Sequence, residues 1–198
     1  MTDALIVIDV QNDFCPGGQL AVSGGDEIVD PINNMMGDFG LVILSQDWHP
    51  SDHMSFHTNQ HGGTPFAEIQ MPYGMQTLWP EHCIIGTEGA EFHPKLHQDR
   101  AAAIVRKGMN PAIDSYSTFF ENDRKTPTGL TGLLRERAVT SVTLVGLATD
   151  FCVAFSAIDA AKQGFKVSVR MDTCRAIDNQ GSLERALSAM RTNGVELV

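Results

Sequence analysis

Apolar, β-branched runs alternate with amphipathic stretches along this chain. Ala4–Asp9 (ALIVID) carries no polar residue until its end, which is the pattern of a strand buried on both faces of a parallel sheet. Gly40–Ser45 (GLVILS), Ala103–Lys107 (AIVRK), Ser141–Gly146 (SVTLVG), Lys166–Met171 (KVSVRM) and Val195–Val198 (VELV) are similar runs, so the pattern predicts six strands. Between them, Asp26–Met36 reads as a helix with Pro31 near its start or kinking it. Gly129–Ala138 and Phe151–Gln163 read as better helices, the second with Phe151, Phe155 and Ile158 at helical spacing. Ser182–Thr192 follows, with Ser182 as cap and Gly194 as stop. Alternation of this kind predicts an α/β fold, a doubly wound, mainly parallel six-stranded sheet with helices on both faces. One segment breaks the rhythm. From about 47 to 96 the chain is rich in Gly, Pro, His and aromatics with little periodicity, and so long an irregular stretch is usually functional. The expected organisation is a single domain over 1–198 with this segment as a metal- and substrate-binding insertion.

In an open parallel sheet, ligands bind at the carboxyl ends of the strands. Asp9 and Lys107 end two of the expected strands, and Cys152 opens a helix just after a third. Cys152 lies in Leu147-Ala148-Thr149-Asp150-Phe151-Cys152, where Thr149 or Asp150 is a candidate helix cap. Unpaired amides in a first helical turn favour thiolate over thiol and suit an oxyanion. The competing reading is a buried structural cysteine, which is also the reading for Cys15, Cys83 and Cys174. Asp9 is either a buried general base or a strand-end carboxylate bonded to the following turn. Arg106 and Lys107 must face opposite sides of their strand, and alternation alone leaves open which faces the site.

A second constellation is Asp47-Trp48-His49-Pro50-Ser51-Asp52-His53, together with His82 in Trp79-Pro80-Glu81-His82-Cys83. Asp47 and His49 are two apart, so extended backbone sends both to one side. Imidazoles with a carboxylate suit Zn²⁺, Fe²⁺ or Mn²⁺, and solvated loop histidines are the alternative. Pro50 and Gly62-Gly63 argue against a helical histidine stripe through His49, His53, His57 and His61. His57, His61, His93 and His97 are read as non-ligands.

Composition narrows the partners. With 24 acidic against 14 basic residues, a net charge of -10 and no dense basic run, nucleic acid is disfavoured as a partner. The N-terminal segment has no basic region before its short apolar run, so it is not read as a signal peptide. No stretch approaches a membrane span. Four cysteines without CxxC spacing suit a cytoplasmic protein with reduced thiols.

ALIVIDVQNDFCPGGQLAV, SQDWHPSDHMSF, WPEHCIIGTEGAEFHP, RKGMNPAIDSYSTFF and LVGLATDFCVAFSAIDAAKQGF together resemble the nicotinamidase (pyrazinamidase) family of the isochorismatase-like cysteine hydrolases. The motifs occur in the family's order and span nearly the whole chain. The resemblance implies a catalytic triad of Asp9, Lys107 and Cys152, which selects Lys107 over Arg106. It implies an oxyanion hole from the amides of Ala148 and Cys152, with a non-proline cis peptide before Ala148. It also implies metal ligation by Asp47, His49, His53 and His82, and a substrate pocket lined by Phe14, Trp79 and Tyr116. One divalent ion is expected, Zn²⁺ first, with Fe²⁺ or Mn²⁺ able to use the same donors. The implied reaction is hydrolysis of nicotinamide to nicotinate and ammonia through a cysteine thioester, feeding NAD salvage, with pyrazinamide also accepted. The competing expectations are a related amidohydrolase for another small amide or N-carbamoyl compound, and an inactive metal-binding relative. Monomer and homo-oligomer both remain open.

Overall fold

The computed structural model describes residues 2–198. Six strands form one sheet: β1 (Thr2–Ile8), β2 (Leu41–Asp47), β5 (Ala103–Lys107), β6 (Val139–Leu147), β7 (Lys166–Arg175) and β8 (Glu196–Leu197). Their order is β5-β2-β1-β6-β7-β8, and every neighbouring pair is parallel. The expected fold is the observed one.

Alternation along β1 divides the core in two. Ala4, Ile6 and Ile8 pack on one face with α2 (Leu130–Glu136), α3 (Ala154–Lys162) and α4 (Ser182–Thr192). Leu5 and Val7 pack on the other with α1 (Val29–Met35) and with Trp79, Cys83 and Phe92 of the irregular segment. These β1 side chains are essentially fully buried, as expected for a central strand covered on both sides. Pro31 is the third residue of α1, where the first turn needs no amide donor.

The chain builds outward from β1 to β2 and β5, then returns to lay down β6 beside β1. The strand order therefore reverses between β1 and β6, the topological position where open α/β sheets bind ligands. Gly146 permits the closure there. Its φ is +120°, and a Cβ would lie 2.1 Å from the carbonyl oxygen of Ile8.

Four local expectations are corrected. The segment between β2 and β5 is not wholly irregular, because β3 (Glu68–Met71) and β4 (Gly74–Thr77) form a separate antiparallel hairpin. Cys152 lies in a π-helical turn, Thr149–Val153, that precedes α3 rather than in an α-helical first turn. Ser182 is not a cap: it is the first residue of α4, and its hydroxyl donates to Asp150. Asp150 likewise caps nothing, since its carboxylate accepts the amides of Ile177 and Asp178 at 3.0 and 2.8 Å. That bonding ties the nucleophile turn to the loop before α4.

Candidate active site

Asp9 immediately follows β1, and its φ of 49° is a left-handed conformation that Asp tolerates better than most residues. The turn aims its carboxylate inward, where Oδ1 accepts the Ser45 hydroxyl at 2.6 Å. Lys107 Nζ lies 2.8 Å from Asp9 Oδ2, 2.6 Å from Asp47 Oδ1 and 2.9 Å from the Ser115 carbonyl oxygen. It is also 3.5 Å from Cys152 Sγ. Arg106, its neighbour on β5, turns outward, stacking over Trp48 at 4.1 Å and donating to Gln46. The alternation left open above is thus settled by geometry in favour of Lys107.

Burial and charge pull against each other in this group. Burial raises the Asp9 carboxyl above its ordinary 3.8, with Asp47 adding to the rise and Lys107 opposing it. Burial by itself would discharge Lys107, but the Asp47 and Asp9 carboxylates outweigh it and hold the ammonium well above its ordinary value. Burial pushes the Cys152 thiol well above 9.0 despite the lysine. Cys152 at rest is therefore a neutral thiol, not the helix-activated thiolate that its place in the chain suggested. Ionising it calls for a local base, and Asp9 is that base in position and in basicity. The ligand atoms of Asp9, Asp47 and Cys152 lie within 4.8 Å of one another.

Asp47 joins this cluster to a second one. Its Oδ2 faces His49 Nε2 at 3.5 Å and His82 Nε2 at 3.7 Å. Each ring is oriented by a backbone carbonyl: His49 Nδ1 meets Gly108 O at 2.9 Å, and His82 Nδ1 meets Pro80 O at 2.8 Å. A carbonyl only accepts, so both Nδ1 atoms carry hydrogen and both rings turn Nε2 toward Asp47. Two imidazole nitrogens and a carboxylate converging in a buried space suit a cation. Burial penalises a charged His49, but Asp47 outweighs it and raises the imidazole's pKa. Asp47, His49 and His82 thus fit a divalent ion, and the carbonyls supply the outer support typical of histidine ligands.

His53 adjoins this trio. Its donor groups with those of His49 and Asp114. The Ser55 amide reaches His53 Nδ1 at 3.3 Å, and the Ser55 hydroxyl lies 2.7 Å from it. Burial lowers the ring's pKa to about 4, and its Nε2 is a buried atom without a hydrogen-bond partner. The ring centroid is 4.3 Å from that of His49, so His53 sits beside the trio with a nitrogen available as the expected fourth ligand.

A narrow cavity opens onto both clusters. Phe14, Trp79 and Tyr116 line it, as expected, together with Asp47, His82, Ala148 and Cys152. Phe151 and Asp114 also line it, and sequence reasoning missed both. Helical spacing with Phe155 and Ile158 marks Phe151 only as part of a helix. In the structure it packs edge-on against Trp79 at 4.8 Å and Tyr116 at 5.6 Å. Asp114 sits in an aperiodic stretch, where nothing in the sequence set it apart. The peptide bond between Leu147 and Ala148 is cis.

A turn-borne thiol beside a buried carboxylate and ammonium, at the switch point of a parallel sheet, fits a hydrolase of α/β architecture with a cysteine nucleophile. Residues 3–198 match the isochorismatase domain model, and the chain belongs to that family. It is 52% identical to a nicotinamidase of Acinetobacter baylyi over 195 residues, spanning 98% of this chain and 91% of the relative. The solved structure of an Acinetobacter baumanii nicotinamidase–pyrazinamidase superposes with a TM-score of 0.98 at 53% identity, covering 100% and 95% of the two chains. A Pyrococcus horikoshii pyrazinamidase solved in complex with zinc is 36% identical with a TM-score of 0.81, covering 100% and 99%.

Proposed function

We propose that this protein is a nicotinamidase, hydrolysing nicotinamide to nicotinate and ammonia through a thioester on Cys152, and that pyrazinamide follows the same route. The whole chain acts as one hydrolase domain, with the insertion at about 47–96 supplying much of the metal and substrate site. The observation that carries the reading is the joining of two clusters by Asp47. One oxygen of that carboxylate holds the reactive lysine and the other faces the Nε2 atoms of two imidazoles. A small ring bearing a carboxamide uses both ends of such a pocket.

Asp9 accepts the Cys152 thiol proton as sulfur attacks the carboxamide carbon. Lys107 keeps Asp9 in place and stabilises the charge growing on sulfur. The amides of Ala148 and Cys152 receive the oxyanion of the tetrahedral intermediate. Asp9 then gives its proton to the departing nitrogen, the C–N bond breaks and ammonia leaves a thioester. A water enters, Asp9 takes one of its protons, and the oxygen attacks the thioester carbon. Collapse releases nicotinate, and the proton held by Asp9 returns to sulfur. Phe14, Trp79, Tyr116 and Phe151 enclose the ring. Asp47, His49 and His82, with His53 beside them, would hold a divalent ion, which would supply Lewis-acidic anchoring for the substrate. We assign it as Zn²⁺, on the chemistry of the donors and the zinc in the Pyrococcus relative, with Fe²⁺ and Mn²⁺ served by the same set.

Among the described residues no helix is long and apolar enough to cross a membrane. Four free, buried cysteines support a reducing, cytoplasmic setting. The test is ammonia release from nicotinamide by purified protein before chelation, after it, and after metal is restored. Turnover that falls and returns is expected. Absence of turnover in folded, metal-loaded, reduced protein overturns the assignment.

A further inference from the structure

The β3–β4 hairpin stands outside the main sheet, and most of its residues are at least partly exposed. Isolated two-stranded hairpins are marginal in water, so its position must be set by contacts with the body. Met71 and Gln76 are the exceptions to its exposure, and Gln76, on β4, has no accessible surface at all. Its amide nitrogen has two hydrogens to share among Asp114 Oδ2 at 2.7 Å, the Tyr116 hydroxyl oxygen at 3.0 Å and the Thr77 carbonyl at 2.7 Å. Its amide oxygen accepts the Tyr73 hydroxyl at 3.1 Å and the Asn122 amide at 3.3 Å. One neutral side chain thus meets a carboxylate, a phenol and two donors at once, which only a carboxamide of this reach accomplishes.

The two groups it holds belong to the pocket. Tyr116 and Asp114 both line the cavity, whereas Gln76 does not. The Tyr116 hydroxyl also accepts the Trp79 indole N–H at 3.1 Å, so Gln76 and Trp79 fix the phenol from two sides. Asp114 Oδ1 is satisfied by the Ser115 amide at 2.7 Å, leaving Gln76 as the named partner of Oδ2. Asp114 in turn lies within 4.8 Å of the donor atoms of His49 and His53. Asp9, Lys107 and Cys152 are held by bonds that do not involve the hairpin.

We infer that Gln76 is a positioning residue for the substrate ring, setting the spacing between the aromatic wall at Tyr116 and the buried Asp114 carboxylate. The inference rests on the reading of this pocket as the nicotinamide site. Because Gln76 touches the wall and not the reacting groups, it governs how well the ring is held rather than how fast the bonded substrate reacts. In kinetic terms its loss removes binding common to ground and transition states, which raises KM and leaves kcat nearly unchanged.

The experiment compares steady-state ammonia release from nicotinamide by wild-type protein, Gln76→Met and Gln76→Asn, all metal-loaded. Methionine keeps the length and removes every hydrogen bond. Asparagine keeps the chemistry but falls one methylene short. KM is expected to rise by about tenfold or more in Gln76→Met, with kcat within about threefold of wild type. A smaller rise is expected in Gln76→Asn. If Gln76→Met does not fold, as judged by near-UV circular dichroism, the asparagine variant carries the same test, with KM raised at least threefold. A KM within twofold of wild type in the folded variant overturns the inference, as does a fall in kcat at constant KM. Wild-type protein that turns over no nicotinamide overturns the functional reading instead, so the two failures are distinct.

Discussion

Replacing Lys107 by methionine keeps the length and the apolar stem while deleting one charge. In the wild type that ammonium has no exposed side-chain surface and lies 2.8 and 2.6 Å from two carboxylates that are also shielded from water. Removing one member of such a buried group leaves the others uncompensated, at a cost of about 3–5 kcal/mol. The penalty depends on pH in a definite direction. Wild-type Asp47, with a pKa well below 3.8, contributes stability that is present above the unfolded value and lost as pH falls through the folded one. Without the lysine, both carboxylates titrate above their unfolded values, so the folded variant binds more protons than the unfolded chain and loses stability as pH rises from about 4. The gap between wild type and variant should therefore be largest at pH 8 and narrow toward pH 5. Urea unfolding followed by circular dichroism, on metal-free protein so that ligand linkage does not enter, measures the gap at each pH. Ammonia release should fall by about 10²–10⁴-fold, the range for loss of assisted proton transfer. A stability within about 1 kcal/mol of wild type at pH 8 would refute the view that Lys107 neutralises this cluster.

Gly108 has a φ of +71°, and a Cβ there would sit 2.3 Å from His49 Cε1. Gly108→Ala should displace the His49 ring and weaken metal binding by about 10–100-fold, read by metal analysis after dialysis against a competing chelator. Asp150→Ala should strip acceptors from the Ile177 and Asp178 amides and the Ser182 hydroxyl, lowering stability by about 2–4 kcal/mol in urea unfolding. An unchanged midpoint would mean that the loop before α4 is held otherwise. Cys152→Ala should leave the unfolding midpoint within about 0.5 M urea of wild type while abolishing ammonia release. Normal release by that variant would remove the thiol from the chemistry.

The strands were legible because central parallel strands have to be apolar on both faces, and the runs beginning at Ala4, Leu41 and Val142 are. The hairpin was not, since EIQM and GMQT are short and mostly polar, and the residue that anchors it does so through Asp114, 38 positions away. Asp9, Lys107 and Cys152 could be found from their places at strand ends. Their protonation could not, because the helix-terminus argument for a thiolate ignores the burial that only the packed fold imposes. The turn at Thr149–Val153 is shaped by what Asp150 bonds after β7, a long-range fact with no local signature.

The central claim is that Cys152 becomes acylated. Rapid acid quench of metal-loaded protein mixed with excess nicotinamide, followed by peptide mass spectrometry, tests it most directly. The account predicts a transient adduct of one pyridine-3-carbonyl group on the peptide bearing Cys152, forming no more slowly than ammonia is released and decaying as nicotinate appears. Steady ammonia release with Cys152 unmodified at every quench time, under conditions that preserve a thioester standard, would contradict it.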